Sequence, residues 1–238
     1  MADIYVYGAI GDHWGEDDMT ASRFVKELAA AKGEDITVHI NSGGGDVFDA
    51  NAMAETLRSY KGHTTASIEG LAASAASYFA LTADEVVMNP SALFMVHNPW
   101  TFCQGNAEDM RDAADFLDKV GGTICSQYAK KTGMGADEIA GLMAAETWMD
   151  ASEALEMGFV DSISDAEPVK AEINGDILSR FKHAPQALTD TSAAPETGDT
   201  ASIIEEETSD DEPTAEAVEG AAGAAAKVAC IHGQFLTY

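Results

Sequence analysis

The sequence predicts an α/β domain over residues 1–165, followed by an acidic tail over residues 166–238. Three observations lead there. Short apolar runs alternate with amphipathic stretches of helical spacing, glycine-rich turns separate them, and the pattern stops near Asp165. Apolar runs alternating with helical repeats are the mark of βα units around a largely buried sheet.

Residues 4–7 open the chain as a strand. Thr20 is an N-cap candidate for a helix reaching about residue 31, with Gly33 just past its end. Residues 36–40 form the next strand, which Asn41-Ser42-Gly43-Gly44-Gly45 terminates, and residues 47–60 have helical spacing with Asp46 as cap. Residues 65–69 read as a third strand, 71–81 as a helix of small residues, and 86–88 and 93–96 as two further strands. Residues 107–131 read as a long helix, bent or broken at Gly121-Gly122 because each glycine costs about 1 kcal/mol relative to alanine in a helix interior. A helix at 136–145, an extended piece at 147–149, a helix at 151–157 and a strand at 159–163 complete the domain. Residues 166–227 are rich in Glu, Asp, Ala, Thr, Ser and Gly with few aromatics. Such a composition buries too little surface to offset its ordering entropy, so the tail is expected to be a disordered appendage. Only residues 228–238 regain apolar character.

Of 238 residues, 41 are acidic and 13 basic, a formal charge of -28 that repels nucleic acid and anionic membranes. Three cysteines, Cys103, Cys125 and Cys230, without a Cys-x-x-Cys pair suggest neither a disulfide framework nor a cysteine zinc site. The start of the chain lacks the basic flank and apolar run of a signal peptide, and no stretch of about 18 apolar residues could span a bilayer. These features point to a cytoplasmic protein in a reducing compartment.

A catalytic serine must be exposed on a turn, near backbone N–H groups that can receive an oxyanion. Gly70-Leu71-Ala72-Ala73-Ser74 meets that need where a strand gives way to a helix. Tight helix packing also explains a small residue at Ser74, and Ser77 one turn later shares the ambiguity. Gly43-Gly44-Gly45 at a strand end could expose further N–H donors; it lacks the Gly-Lys-Ser/Thr ending of a phosphate loop. His97 directly follows Leu93-Phe94-Met95-Val96, so it emerges at a strand end where a histidine can serve as general base. His39 lies within a strand and reads as structural; His13 and His63 sit in turns, and His183 and His232 in the tail. No carboxylate cluster at metal-ligand spacing surrounds any of them, so neither a metal nor a cofactor is expected. The carboxylate that would orient the base is Glu146 or Asp150, and periodicity does not separate the two.

Four segments in order and spacing resemble ClpP-type serine peptidases. They are Ile40-Asn41-Ser42-Gly43-Gly44-Gly45, Gly70-Leu71-Ala72-Ala73-Ser74, Val96-His97-Asn98-Pro99, and Ala151-Ser152-Glu153-Ala154 with Gly158-Phe159-Val160-Asp161. The nearest likeness is to the ClpP-related head maturation proteases of phages and prophages. The resemblance implies a crotonase-like superhelix of stacked ββα turns with a protruding handle helix at residues 107–131. It implies Ser74 as nucleophile, His97 as base, and an oxyanion hole from the N–H groups of Gly44 and Ala75. Its register puts the triad acid at Glu146, where relatives usually have Asp, and Gly43 where they have Pro. It further implies a homo-oligomeric ring acting on protein substrates, with phage capsid or scaffold proteins as the leading class, in the bacterial cytoplasm or the assembling prohead. Because the first strand comes so early, an unfoldase ATPase partner is in doubt. The alternatives are an ATPase-fed degradative peptidase, a crotonase-like acyl-CoA enzyme, and a non-catalytic capsid-assembly module.

Overall fold

The computed structural model describes residues 1–11, 18–165 and 181–185. His13, His232, Cys230 and the remainder of the stretch read as a tail lie outside the described residues.

Alternation of apolar and polar side chains builds the central sheet. In β1 (Ala2–Tyr7) and β2 (Ile36–Ser42), Ile4, Val6, Ile36, Val38 and Ile40 are buried on one face. The opposite face is polar: His39 lies between Glu69 (Nδ1 to Oε1, 2.6 Å) and Asp3 (Nε2 to Oδ1, 3.1 Å), and the Tyr7 hydroxyl donates to Glu69. β1, β2, β3 (Thr64–Ala73), β4 (Glu85–Met88) and β7 (Ser162–Ile163) follow one another in the sheet, all parallel. β5 (Leu93–Val96) leaves that path, pairing in parallel with β3 and antiparallel with the short β6 (Thr147–Met149).

β3 is the structural pivot. Its first half pairs with β4 through Thr65–Ile68, and its second half pairs with β5 through Leu71, Ala72 and Ala73. Between them the register against β2 jumps from Ile40 opposite Ile68 to Ser42 opposite Ala72, the irregularity that re-aims the strand. The helix expected over 71–81 is therefore shorter. Leu71, Ala72 and Ala73 extend the strand because β5 offers ladder partners, and α3 occupies only Ala75–Ala80.

Helices α1 (Ala21–Ala30) and α2 (Val47–Arg58) are capped by Thr20 and Asp46, whose side chains accept from Arg23 N and from Phe48 N and Asp49 N. They bury Phe24, Leu28, Met53 and Leu57 against the sheet, each contributing on the order of 1.5–3 kcal/mol of transfer free energy. α4 (Ala107–Thr132) runs unbroken for 26 residues through Gly121-Gly122, so the chain does not break there. A capping box of Asn106 and Asp109 secures its start and Gly133, at φ 77°, its end. Those ends and the buried Ala113, Ile124 and Tyr128 outweigh the propensity cost of two glycines. α5 (Ala136–Ala144) and α6 (Ala151–Glu156) complete the elements, and no helix among the described residues is long and apolar enough to cross a membrane.

Candidate active site

Ser74 stands at the junction of β3 and α3 with φ 56° and ψ -125°, a conformation that a non-glycine residue adopts at a cost of order 1–3 kcal/mol. Its surroundings hold it there. The Ser74 N–H donates to Met95 O (3.0 Å) on β5, while the Ser74 carbonyl accepts from Ser77 Oγ (2.7 Å) and Ser77 N (3.1 Å). This sharp strand-to-helix turn lifts the hydroxyl out of the backbone path. Ser77 is buried instead, sharing a 2.8 Å hydrogen bond with the Tyr128 hydroxyl, so it packs the turn from beneath.

His97 follows β5, which pairs with β3, the strand that leads into Ser74, and its Nε2 lies 2.7 Å from Ser74 Oγ. Burial holds the imidazole pKa below the usual histidine range, and the Glu146 charge partly opposes that. The neutral ring can accept the serine proton.

The antiparallel pairing of β5 with β6 ends with Val96 opposite Thr147, so the next residues outward, His97 and Glu146, face each other across the strand ends. Glu146 sits in a turn at φ 52°. Among the described residues no hydrogen bond joins its carboxylate to His97. Instead Oε2 accepts from Lys182 N (3.0 Å), and Oε1 accepts from His183 N (2.6 Å) and Trp148 Nε1 (3.4 Å). Asp150, at the far end of β6, is committed elsewhere: it caps α6, accepting from Glu153 N (2.9 Å) in a reciprocal capping box.

Gly44 packs against the Ser74 turn. A Cβ there would lie 2.7 Å from Ala73 O and from Ser74 Cβ and 2.8 Å from Ala75 N, and φ is 89°. Only glycine allows the two backbones this close. The Gly44 N–H donates to Ser42 Oγ (3.1 Å), so it must turn from that acceptor to serve an oxyanion. The Ala75 N–H is the first of α3 and has no intrahelical acceptor. A narrow cavity beside Ser74 is lined by Val47, Tyr78, Pro99, Ile124 and Tyr128; Pro99 belongs to the segment around His97, whereas the other four read in the sequence as ordinary core. Among the described residues no group of three or more His, Cys, Asp or Glu side chains could hold a metal ion.

A serine hydroxyl and an imidazole thus meet at the ends of β3 and β5, and sequence comparison gives the chain a family. The pattern of the Clp protease family matches residues 5–167. An ATP-dependent Clp protease proteolytic subunit 1 from Prochlorococcus marinus subsp. pastoris is 31% identical over 159 residues, covering 63% of this chain and 80% of that one. An ATP-dependent Clp protease proteolytic subunit from Streptococcus pneumoniae is 30% identical over 155 residues, covering 62% and 79%. Among solved structures, a ClpP1 mutant from Listeria monocytogenes superposes with a TM-score of 0.60 at 22% identity, covering 69% of this chain and 92% of that one. The chain belongs to the Clp protease family, whose members are serine endopeptidases, hydrolases of the peptide bond.

Proposed function

We propose that this protein hydrolyses peptide bonds with Ser74 as nucleophile, His97 as general base and Glu146 as the carboxylate that orients the base. The observation that carries the reading is the 2.7 Å contact between His97 Nε2 and Ser74 Oγ on a strained strand-to-helix turn. Ser74 Oγ attacks the substrate carbonyl while His97 Nε2 takes its proton, and the N–H groups of Gly44 and Ala75 receive the oxyanion. His97 then protonates the departing amine. A water molecule, deprotonated by the same imidazole, releases the acyl group and regenerates Ser74. Residues 1–165 form the catalytic unit of a homo-oligomeric ring, with α4 as the protruding handle.

The finer reading is limited processing of phage capsid or scaffold proteins, resting on the resemblance of the four segments to head maturation proteases. Degradation fed by an ATPase is the second reading, favoured by the names of the relatives, which are ATP-dependent subunits. Co-expression with a capsid protein separates the two. Defined cleavage products without an ATPase support processing, and complete degradation that requires an unfoldase supports the second. For the chemistry, a fluorophosphonate probe labels the wild-type chain once and fails on Ser74→Ala, whereas Ser77→Ala keeps labelling. Equal labelling of all three removes Ser74 from its role.

A further inference from the structure

Residues 181–185 come from the stretch that the sequence reads as an acidic tail, yet they lie on the candidate active site. The Phe181 ring stands edge-on to the His97 imidazole, with centroids 5.6 Å apart, and edge-on to Trp148 at 5.5 Å. It packs against the small apolar cluster of Leu71, Ala73 and Met95, which continues the nucleophile's strand and its neighbour. The next two backbone N–H groups, of Lys182 and His183, bind one carboxylate oxygen of Glu146 each, at 3.0 and 2.6 Å. Lys182 and His183, with Glu146, wall a cavity of about 380 Å³ that also borders His97, Asn98, Trp100 and Met143.

We infer that residues 181–183 are an autoinhibitory strap, which holds the Glu146 carboxylate with two backbone N–H groups and covers the edge of His97 with the Phe181 ring. The inference rests on the proposed role of Glu146 as the group that orients His97. To do so, Glu146 must accept a hydrogen bond from His97 Nδ1. With the strap docked, each of its oxygens already accepts a charge-assisted bond from residues 36 and 37 positions further along the chain, and none from His97. The apolar ring at the same time takes surface that a substrate side chain would need in order to pass His97. Both contacts are lost together when the strap lifts, and Glu146 is then free to turn to the imidazole. The strap thus sets the resting state of the site, and a peptide or partner that competes for the Leu71, Met95 and Trp148 surface relieves it.

Proline has no backbone N–H, so Lys182→Pro with His183→Pro in the full-length chain removes both bonds to Glu146 without touching Ser74, His97 or Glu146. Phe181→Ala removes the ring, and Phe181→Tyr retains it. The measurement is the rate of fluorophosphonate labelling and of peptide hydrolysis. Expected is a gain of at least about tenfold for the proline pair, since the loss of even one of the two hydrogen bonds to a charged group is of that size, a gain of the same sign for Phe181→Ala, and a wild-type rate for Phe181→Tyr. Adding Glu146→Gln to the proline pair cancels the gain, which loss of a merely structural contact would not do. Slower or unchanged labelling in the proline pair and in Phe181→Ala overturns the strap. A Ser74→Ala chain that still hydrolyses peptide overturns the catalytic assignment instead, so the two failures are distinct.

Discussion

At the scale of single residues, function depends on which of several chemically similar side chains the fold brings to one point. Ser74 and Ser77 differ by three positions, yet one holds a 2.7 Å contact to His97 and the other is buried beneath the turn against Tyr128. Glu146 and Asp150 separate in the same way: one faces His97 across the ends of β5 and β6, the other caps α6. Glu146→Gln is accordingly expected to lower peptide hydrolysis by about 10² to 10⁴, the range for an orienting carboxylate, with kcat as the readout. Asp150→Asn loses only part of a helix cap, about 1 kcal/mol or less, visible in the melting temperature but not in kcat. The pH dependence follows from burial. His97 is held below the ordinary histidine value, so the acid limb of fluorophosphonate labelling should lie below about pH 6.5. Glu146 favours the protonated ring, so Glu146→Gln should move the limb further toward acid, even as the maximal rate falls. A limb shifted the other way would place a different charge beside His97.

At the scale of elements, two glycine runs, Gly43-Gly44-Gly45 and Gly121-Gly122, have opposite consequences. Gly44 lies where the backbone of the loop after β2 meets the Ser74 turn, and a methyl group there would fall within 2.7 Å of both Ala73 O and Ser74 Cβ. Gly44→Ala should cost labelling and stability together, because a positive φ and a steric clash both have to be relieved. Gly122, inside α4, has no atom within 4 Å of where its Cβ would be. Gly122→Ala is expected to raise stability by roughly 1 kcal/mol in thermal unfolding, with peptide hydrolysis unchanged. A loss there would mean that a neighbouring copy of the chain packs on that face of α4.

At the scale of the whole molecule, the question is which residues the catalytic unit needs. A chain ended at Glu167 retains all seven strands and six helices described above, so it should fold and keep the oligomeric size of the full chain in light scattering. It lacks the strap, and its peptide hydrolysis should equal or exceed that of the full chain. An insoluble or inactive product would place part of the tail inside the folding unit. The net charge of -28 adds a test of its own: a cationic peptide should lose kcat/KM as salt rises, while an anionic one gains.

Much of this architecture was legible in the sequence, because local chemistry suffices for it. Alternating apolar residues announce β1 and β2, Thr20 and Asp46 announce the starts of α1 and α2, and Leu93-Phe94-Met95-Val96 announces the strand that ends at His97. The order of glycine loop, serine and histidine across four segments carries the resemblance to the Clp family in the sequence itself. What remained open depended on partners distant in the chain. Small residues 71–73 read as helix because helical propensity is local, whereas their strand state comes from β5 lying alongside. Gly121-Gly122 reads as a break because its cost is local, and the ends and buried face of α4 that outweigh it are not. That Glu146 faces His97 while Asp150 lies at the far end of β6 follows from the register of β6 on β5. The docking of residues 181–185 needed still more. They lie in a stretch whose composition reads as a disordered appendage, and two backbone N–H groups, identical in every sequence, meet a carboxylate more than thirty residues away only once the sheet has placed it.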